Sequence, residues 1–142
     1  MSNIINSLTG HPFHTLVVHF PVGLTGAAAF FMLVALFWKR ARILEVVAFA
    51  NLALASVSTI VAAITGIYDN ATRWSGSAPN YQYKIILGIL LFLVTATVSI
   101  IRWRKPDLFD QKSTRLLYAG AYAVSFGLAA VLGLLGGIIV WG

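Results

Sequence analysis

The chain has no cysteine, which removes disulfides, iron–sulfur ligation and thiol chemistry at once. Charge is nearly as scarce: 10% of its 142 residues are charged, where a water-soluble domain carries about 25%. Only four residues are acidic. No nucleophile–base pair and no paired carboxylates stand out, so an enzyme is not expected. No Lys or Arg precedes Lys39. The basic opening of a cleavable signal peptide is therefore missing, and the first apolar segment is expected to stay as an anchor. The net charge of +6 does not point to nucleic acid, because no basic face with interleaved aromatics exists.

What fills the chain instead is apolar. Aliphatic, aromatic and sulfur side chains make up 59%, and the mean hydropathy is +0.87. A membrane-crossing helix needs about 20 such residues. Four segments qualify, at about 15–38, 43–68, 83–103 and 116–141, within a single domain over residues 1–142. The expected fold is an all-α integral membrane four-helix bundle. Trp38, Trp103 and Trp141 stand at span ends, where indole prefers the membrane interface.

The cations set the expected orientation. Lys39, Arg40 and Arg42 join the first two spans, and Arg102, Arg104, Lys105, Lys112 and Arg115 join the last two. Arg73 and Lys84 alone lie on the other side. This asymmetry places both basic loops in the cytoplasm and both termini outside. It also makes two hairpins of the same orientation, without the inverted repeat of many transporters. The outer segment 69–82 is rich in turn formers and interfacial aromatics. Its sequon, Asn70-Ala71-Thr72, hugs the membrane and is expected to be a chance match.

Helices in lipid associate through close packing of small residues. The fourth helix offers Gly120, Ala123, Gly127, Ala130, Leu134, Gly137 and Trp141 as a seam at alternating three- and four-residue spacing. The second offers Asn51, Ala55, Ser58, Ala62, Thr65 and Asp69; the third Lys84, Gly88, Thr95 and Ser99; the first His19, Gly23, Gly26 and Ala27. Gly23, Asn51, Gly127 and Gly137 are the expected packing positions, with the Asn51 amide serving as glue between helices.

All three histidines fall within Gly10-His11-Pro12-Phe13-His14-Thr15-Leu16-Val17-Val18-His19-Phe20-Pro21-Val22-Gly23-Leu24. Pro12 suits a first helical turn, and Pro21 should kink the span and free a carbonyl. His11 and His14 lie near one face, whereas His19 is about 140° round from His14, so one helix does not present all three to one ion. His19 is expected to point into the bundle, since ionisable residues inside a membrane are costly and are functional candidates. The alternative for each histidine is a structural role. Asp69, Tyr83, Lys84 and Trp141 come to the same outer mouth. The candidate ligand- or cofactor-binding residues are His14, His19, Asp69, His11 and Tyr83, with His14 and His19 as metal ligands.

The segment from His11 to Leu24, Gly66-Ile67-Tyr68-Asp69, and the glycine-rich ending Gly133-Leu134-Leu135-Gly136-Gly137-Ile138-Ile139-Val140-Trp141-Gly142 resemble a bacterial membrane family, domain of unknown function 2231. The resemblance implies a four-helix domain of the inner membrane, at times beside or fused to redox proteins such as Rieske-type domains. Members often carry a histidine near the start of the third helix, where this chain reads Asn80-Tyr81-Gln82-Tyr83-Lys84. That departure argues against a bis-histidine haem within one chain. Three functions are left open: a non-catalytic subunit of a redox or energy-converting membrane assembly, a binder of b-haem, quinone or metal at the outer mouth, and a small transporter or proton path. The expected partners are the lipid bilayer, other membrane subunits and further copies of the chain.

Overall fold

The computed structural model describes the backbone of residues 13–38 and 41–141 and the side chains of residues 16–38 and 42–137. Its elements are α1 (Phe13–Phe37), α2 (Ala41–Arg73), α3 (Tyr81–Arg104) and α4 (Lys112–Trp141), with no strand among the described residues. All four carry stretches long and apolar enough to cross a membrane, with mean hydropathies of 2.1, 2.1, 2.5 and 1.8. The expected spans are all present. α2 runs past Tyr68 to Arg73 because its last turn is held by an Asp69–Arg73 ion pair at 2.8 Å and by the Thr72 hydroxyl donating to the Tyr68 carbonyl at 2.9 Å.

Helices that follow one another in sequence pack against one another, and α4 returns to α1, closing an up-down ring. α1 and α2 make the most intimate pair. Ala28 and Ala35 on α1, and Ala48, Ala55 and Ala62 on α2, recur every seven residues and are buried. Side chains this small let two backbones approach closely. Met32 and Leu52 fill the space between them. Outward, large apolar side chains stand bare, with Phe37 85% and Leu117 80% exposed. Such a surface suits hydrocarbon, not water.

The small-residue stripes of α2 and α3 turn inward as expected. Ala55, Ala62 and Thr95 are buried, with Asn51, Ser58, Thr65, Asp69, Lys84, Gly88 and Ser99 half-buried. The stripes of α1 and α4 do not. Gly120, Ala123, Gly127 and Leu134 are exposed, and nothing lies within 4 Å of a Cβ built at Gly120, Gly127 or Gly137. The buried face of α4 is Tyr118, Tyr122, Ser125 and Ala129. On α1 the buried positions are Val17, Pro21, Thr25, Ala28, Met32 and Ala35, while Gly23 is exposed with nothing near it. Gly26 and Ala27 are half-buried, and the Phe126 ring lies 3.2 Å from a Cβ built at Gly26. The reason is volume. The inward positions of α4 carry Tyr118 and Tyr122, and glycine in their place would leave voids.

One further expectation changes. The Asn51 amide donates to the Val47 carbonyl of its own helix at 2.9 Å, not to a neighbouring helix. α1 continues through Pro21, and the Thr25 hydroxyl donates to the Pro21 carbonyl at 2.7 Å.

The α2–α3 connection is pinned by Asn70. Its side-chain oxygen accepts from the Ala78 amide at 3.0 Å, and its carbonyl accepts from Trp74 and Gly76 at 3.2 and 3.0 Å. Gly76 sits at φ 83°, a conformation that favours glycine. Asn70 is buried.

Candidate functional site

The start of α2, the end of α3 and the start of α4 meet at one end of the bundle, together with most of the basic residues. Here the most polar part of the interior is built. Glu45 lies one turn into α2 and is fully buried; Arg102 lies in the last turn of α3 and is 7% exposed. The guanidinium grips the carboxylate with two prongs, Nε to Oε1 at 2.5 Å and Nη2 to Oε2 at 2.8 Å. From α4, the Tyr118 hydroxyl donates to Glu45 Oε1 at 2.8 Å. The Tyr118 and Tyr122 hydroxyls are 2.7 Å apart. Since the Tyr118 proton is committed to Glu45, Tyr122 is the donor of that bond. The two rings meet edge-on with centroids 5.2 Å apart, a favourable aromatic arrangement. Phe49, one turn beyond Glu45, places its ring centroid 5.3 Å from the Arg102 guanidinium carbon.

A lid of loop closes this end. Phe109, in the segment between α3 and α4, is 2% exposed and packs into the core beside Tyr118 and Tyr122. Arg115 holds it from α4, with Nε donating to the Phe109 carbonyl at 3.0 Å and the guanidinium over its ring. Thr114 donates to the Leu108 carbonyl at 2.8 Å, and Arg42 pairs with Asp110 across the loop.

Chemically the cluster is a lock. Each Glu45 oxygen has a charged donor, and one has a phenol as well, so the carboxylate is neutralised without water. Breaking such a pair strands a charge in an apolar interior, which costs far more than a surface ion pair is worth. Deeper in, the buried hydroxyls of Thr25, Thr59, Thr95 and Ser125 each bond a carbonyl four residues back in their own helix.

None of these network residues was among the sequence candidates. In the sequence Arg102 reads as one of the loop cations, and Glu45 stands alone inside an apolar run. The signal was present: a carboxylate inside Ile43-Leu44-Glu45-Val46-Val47 needs a partner of opposite charge at the same depth.

The opposite end of the bundle, the expected outer mouth, is not a convergent site in the described residues. His19 is exposed and faces away from the buried side of α1, two positions from Val17 and Pro21. It lines an open groove of about 300 Å³ with Phe20, Gly23 and Leu24. Its expected inward orientation is thus corrected: the buried face of α1 is set by its close packing on α2. Asp69 is engaged by Arg73 of its own helix. Tyr83 is 66% exposed. His11 and the His14 side chain lie outside the described residues. Among the described residues, no group of three or more His, Asp or Glu side chains is placed to hold a metal ion.

No curated protein and no solved structure matches the chain. A family model does, described as predicted membrane protein (DUF2231), and it covers residues 10–142. With four apolar helices in place and the match spanning nearly the whole sequence, the chain belongs to this family of predicted membrane proteins.

Proposed function

We propose that the protein is a non-catalytic four-span subunit or accessory of a larger bacterial inner-membrane assembly, acting through lateral contacts. One observation carries this reading. The buried charged groups and phenols of the bundle are spent on one another, in the Glu45–Arg102–Tyr118–Tyr122 cluster. The interior is organised to persist, which leaves the outward faces to meet other molecules. The basic end lies in the cytoplasm and the termini outside, on the argument of cation asymmetry. Burial of Arg102 removes one cation from that count and leaves the imbalance large. The redox or energy-converting nature of the assembly rests on the family resemblance alone.

A second reading draws on His19. An imidazole on the outward face of a membrane span, beside a glycine and an open groove, suits a ligand such as b-haem, quinone or metal shared with another subunit.

Purification from native membranes in mild detergent separates the two. The subunit reading expects a complex of fixed stoichiometry well above 15.4 kDa, colourless when reduced and oxidised unless a partner brings a chromophore. A visible absorption band that disappears in His19→Gln, whether the chain is purified alone or in a complex, would replace it with the second reading.

A further inference from the structure

The segment 105–111 between α3 and α4 is exposed at every position but two: Leu108 is half-buried and Phe109 is buried. Both pack against the same core cluster as Ala48, Tyr118 and Tyr122, so the segment is a wedge set into the basic end of the bundle. Its fastenings are unequal. On the α4 side, Arg115 holds the Phe109 carbonyl and Thr114 holds the Leu108 carbonyl. Within the segment, the Asp110 and Gln111 amides donate to the Asp107 carbonyl at 3.0 and 3.3 Å, and the Gln111 side chain donates to the Asp107 carboxylate. These bonds give the turn a shape of its own. On the α2 side, among the described residues, the one hydrogen bond or ion pair is Arg42–Asp110, whose side chains are 51% and 56% exposed. An ion pair so open to solvent contributes little and is weakened by salt. The segment is thus tied firmly to α4 and lightly to α2. Behind it stand Tyr118 and Tyr122 and, through the Tyr118 hydroxyl, the carboxylate of Glu45.

We propose that this segment is a hinged flap. It swings on α4 with Arg42–Asp110 as its catch, and its opening withdraws Phe109 and admits water to the Glu45–Arg102 pair while the rest of the bundle stays folded. Local opening of this kind draws on the least stable part of a fold, where few contacts hold a segment down. Two contributions keep the flap shut. Burial of the Phe109 ring is the larger. The ion pair is the smaller, but it alone lies within reach of the surroundings: salt, or an anion competing for Arg42, weakens it without touching the interior. The flap therefore makes hydration of the buried pair depend on charge at the protein surface.

The cysteine-free chain makes the motion readable by thiol labelling. Ala48 is fully buried one turn beyond Glu45 on α2, and Ala55 is fully buried about 10 Å further along the same helix. Each is changed to Cys and labelled in nanodiscs with sulfonatoethyl methanethiosulfonate, which reaches both faces and does not enter hydrocarbon. Ala48→Cys should react at least about tenfold faster than Ala55→Cys, as a local opening outruns global unfolding. Arg42→Gln should speed labelling of Ala48→Cys by about two- to fivefold, the range that an exposed ion pair is worth, and leave Ala55→Cys unchanged. Exchanging the charges, Arg42→Asp with Asp110→Arg, should return the rate to within about twofold of the original. Phe109→Ala should raise it by about tenfold or more. Hydroxyl-radical footprinting of the unsubstituted chain reads the same motion and stands even if a variant fails to fold: oxidation of Phe109, relative to exposed Trp103, should rise with potassium fluoride concentration. Equal labelling rates at the two cysteines would overturn the proposal, since both would then be reached only by global unfolding. So would labelling and Phe109 oxidation indifferent to Arg42→Gln and to salt, because Arg42–Asp110 would then not be the catch.

Discussion

The carboxylate of Glu45 on α2 and the guanidinium of Arg102 on α3 face one another in a two-pronged bond, and both are withdrawn from solvent. The pair joins neighbouring antiparallel helices a turn or less inside the basic end. Tyr118 adds α4 to the junction through the same carboxylate oxygen that takes Arg102 Nε. Three of the four helices are therefore fastened at one point by charge-assisted bonds, and α1 is held by close apolar packing on α2. An ion pair in such surroundings does not need to be a large net source of stability to fix geometry; its partners are intolerable when separated.

The two tyrosines should not be equivalent. Tyr118→Phe removes the bond to Glu45 and leaves the Tyr122 hydroxyl without its acceptor, so it should destabilise the bundle by about 1–2 kcal/mol. Tyr122→Phe removes one bond and leaves Tyr118 satisfied by Glu45, so it should cost less, about 0.5 kcal/mol. Thermal unfolding in detergent measures both. The reverse order would mean that Tyr122, not Tyr118, is the donor to the carboxylate.

Packing gives a contrast between two neighbours on α4. Gly127 faces outward with open space where a Cβ would be, while Ala129 is 1% exposed. Gly127→Leu should leave stability within about 0.5 kcal/mol, as for an unpacked surface position. Ala129→Leu should cost about 1–3 kcal/mol through overpacking. If Gly127→Leu proves the more damaging in the isolated protein, the outward orientation of the glycine face is wrong.

At the opposite end, Asn70→Ala should free the connection to α3. Loss of the bond to the Ala78 amide should cost about 1 kcal/mol. The expected signature is faster hydrogen exchange at Ala78, Gly76 and Ser77 with no change at Tyr118. An unaltered exchange rate at Ala78 would mean that Asn70 does not hold the loop.

Orientation is tested by single cysteines, for which the cysteine-free chain needs no prior editing. Ser77→Cys should react with a membrane-impermeant thiol reagent applied to intact cells, and Ser113→Cys should react only after the membrane is opened. The opposite pattern would place the Glu45–Arg102 end outside.

The architecture was legible because its signals are long: four apolar runs, interrupted by clustered cations. The inward faces of α2 and α3 were legible for a related reason, since hydroxyls, an amide and a lysine on one stripe have nowhere better to go than the interior. For α1 and α4 the same reasoning misled. Glycine marks a close approach only where a second backbone comes near, and in this chain the near approach of α1 to α2 is made by alanines. The tyrosine face of α4 has no evident role in the sequence until Glu45 is given as its partner. That partner was obscured by position: Arg102 stands next to Trp103 and Arg104, so it counts as a loop cation unless the register of Leu91, Thr95 and Arg102 along one face is followed to the end of α3. Pairings between residues 57 and 73 positions apart, such as Arg102–Glu45 and Tyr118–Glu45, depend on tertiary placement and have no local signature.

If the Glu45–Arg102 pair locks the basic end of the bundle, a double-mutant cycle in lipid will register it as coupling between the two residues. Glu45→Gln, Arg102→Met and the double variant are compared with the unmodified protein by reversible unfolding in bicelles. Arg102→Met alone should cost about 3–5 kcal/mol, because it strands a buried carboxylate. The double variant should recover much of that loss, giving a coupling energy above about 1.5 kcal/mol. A coupling near zero, with the two single losses simply adding, would mean that the two residues do not meet.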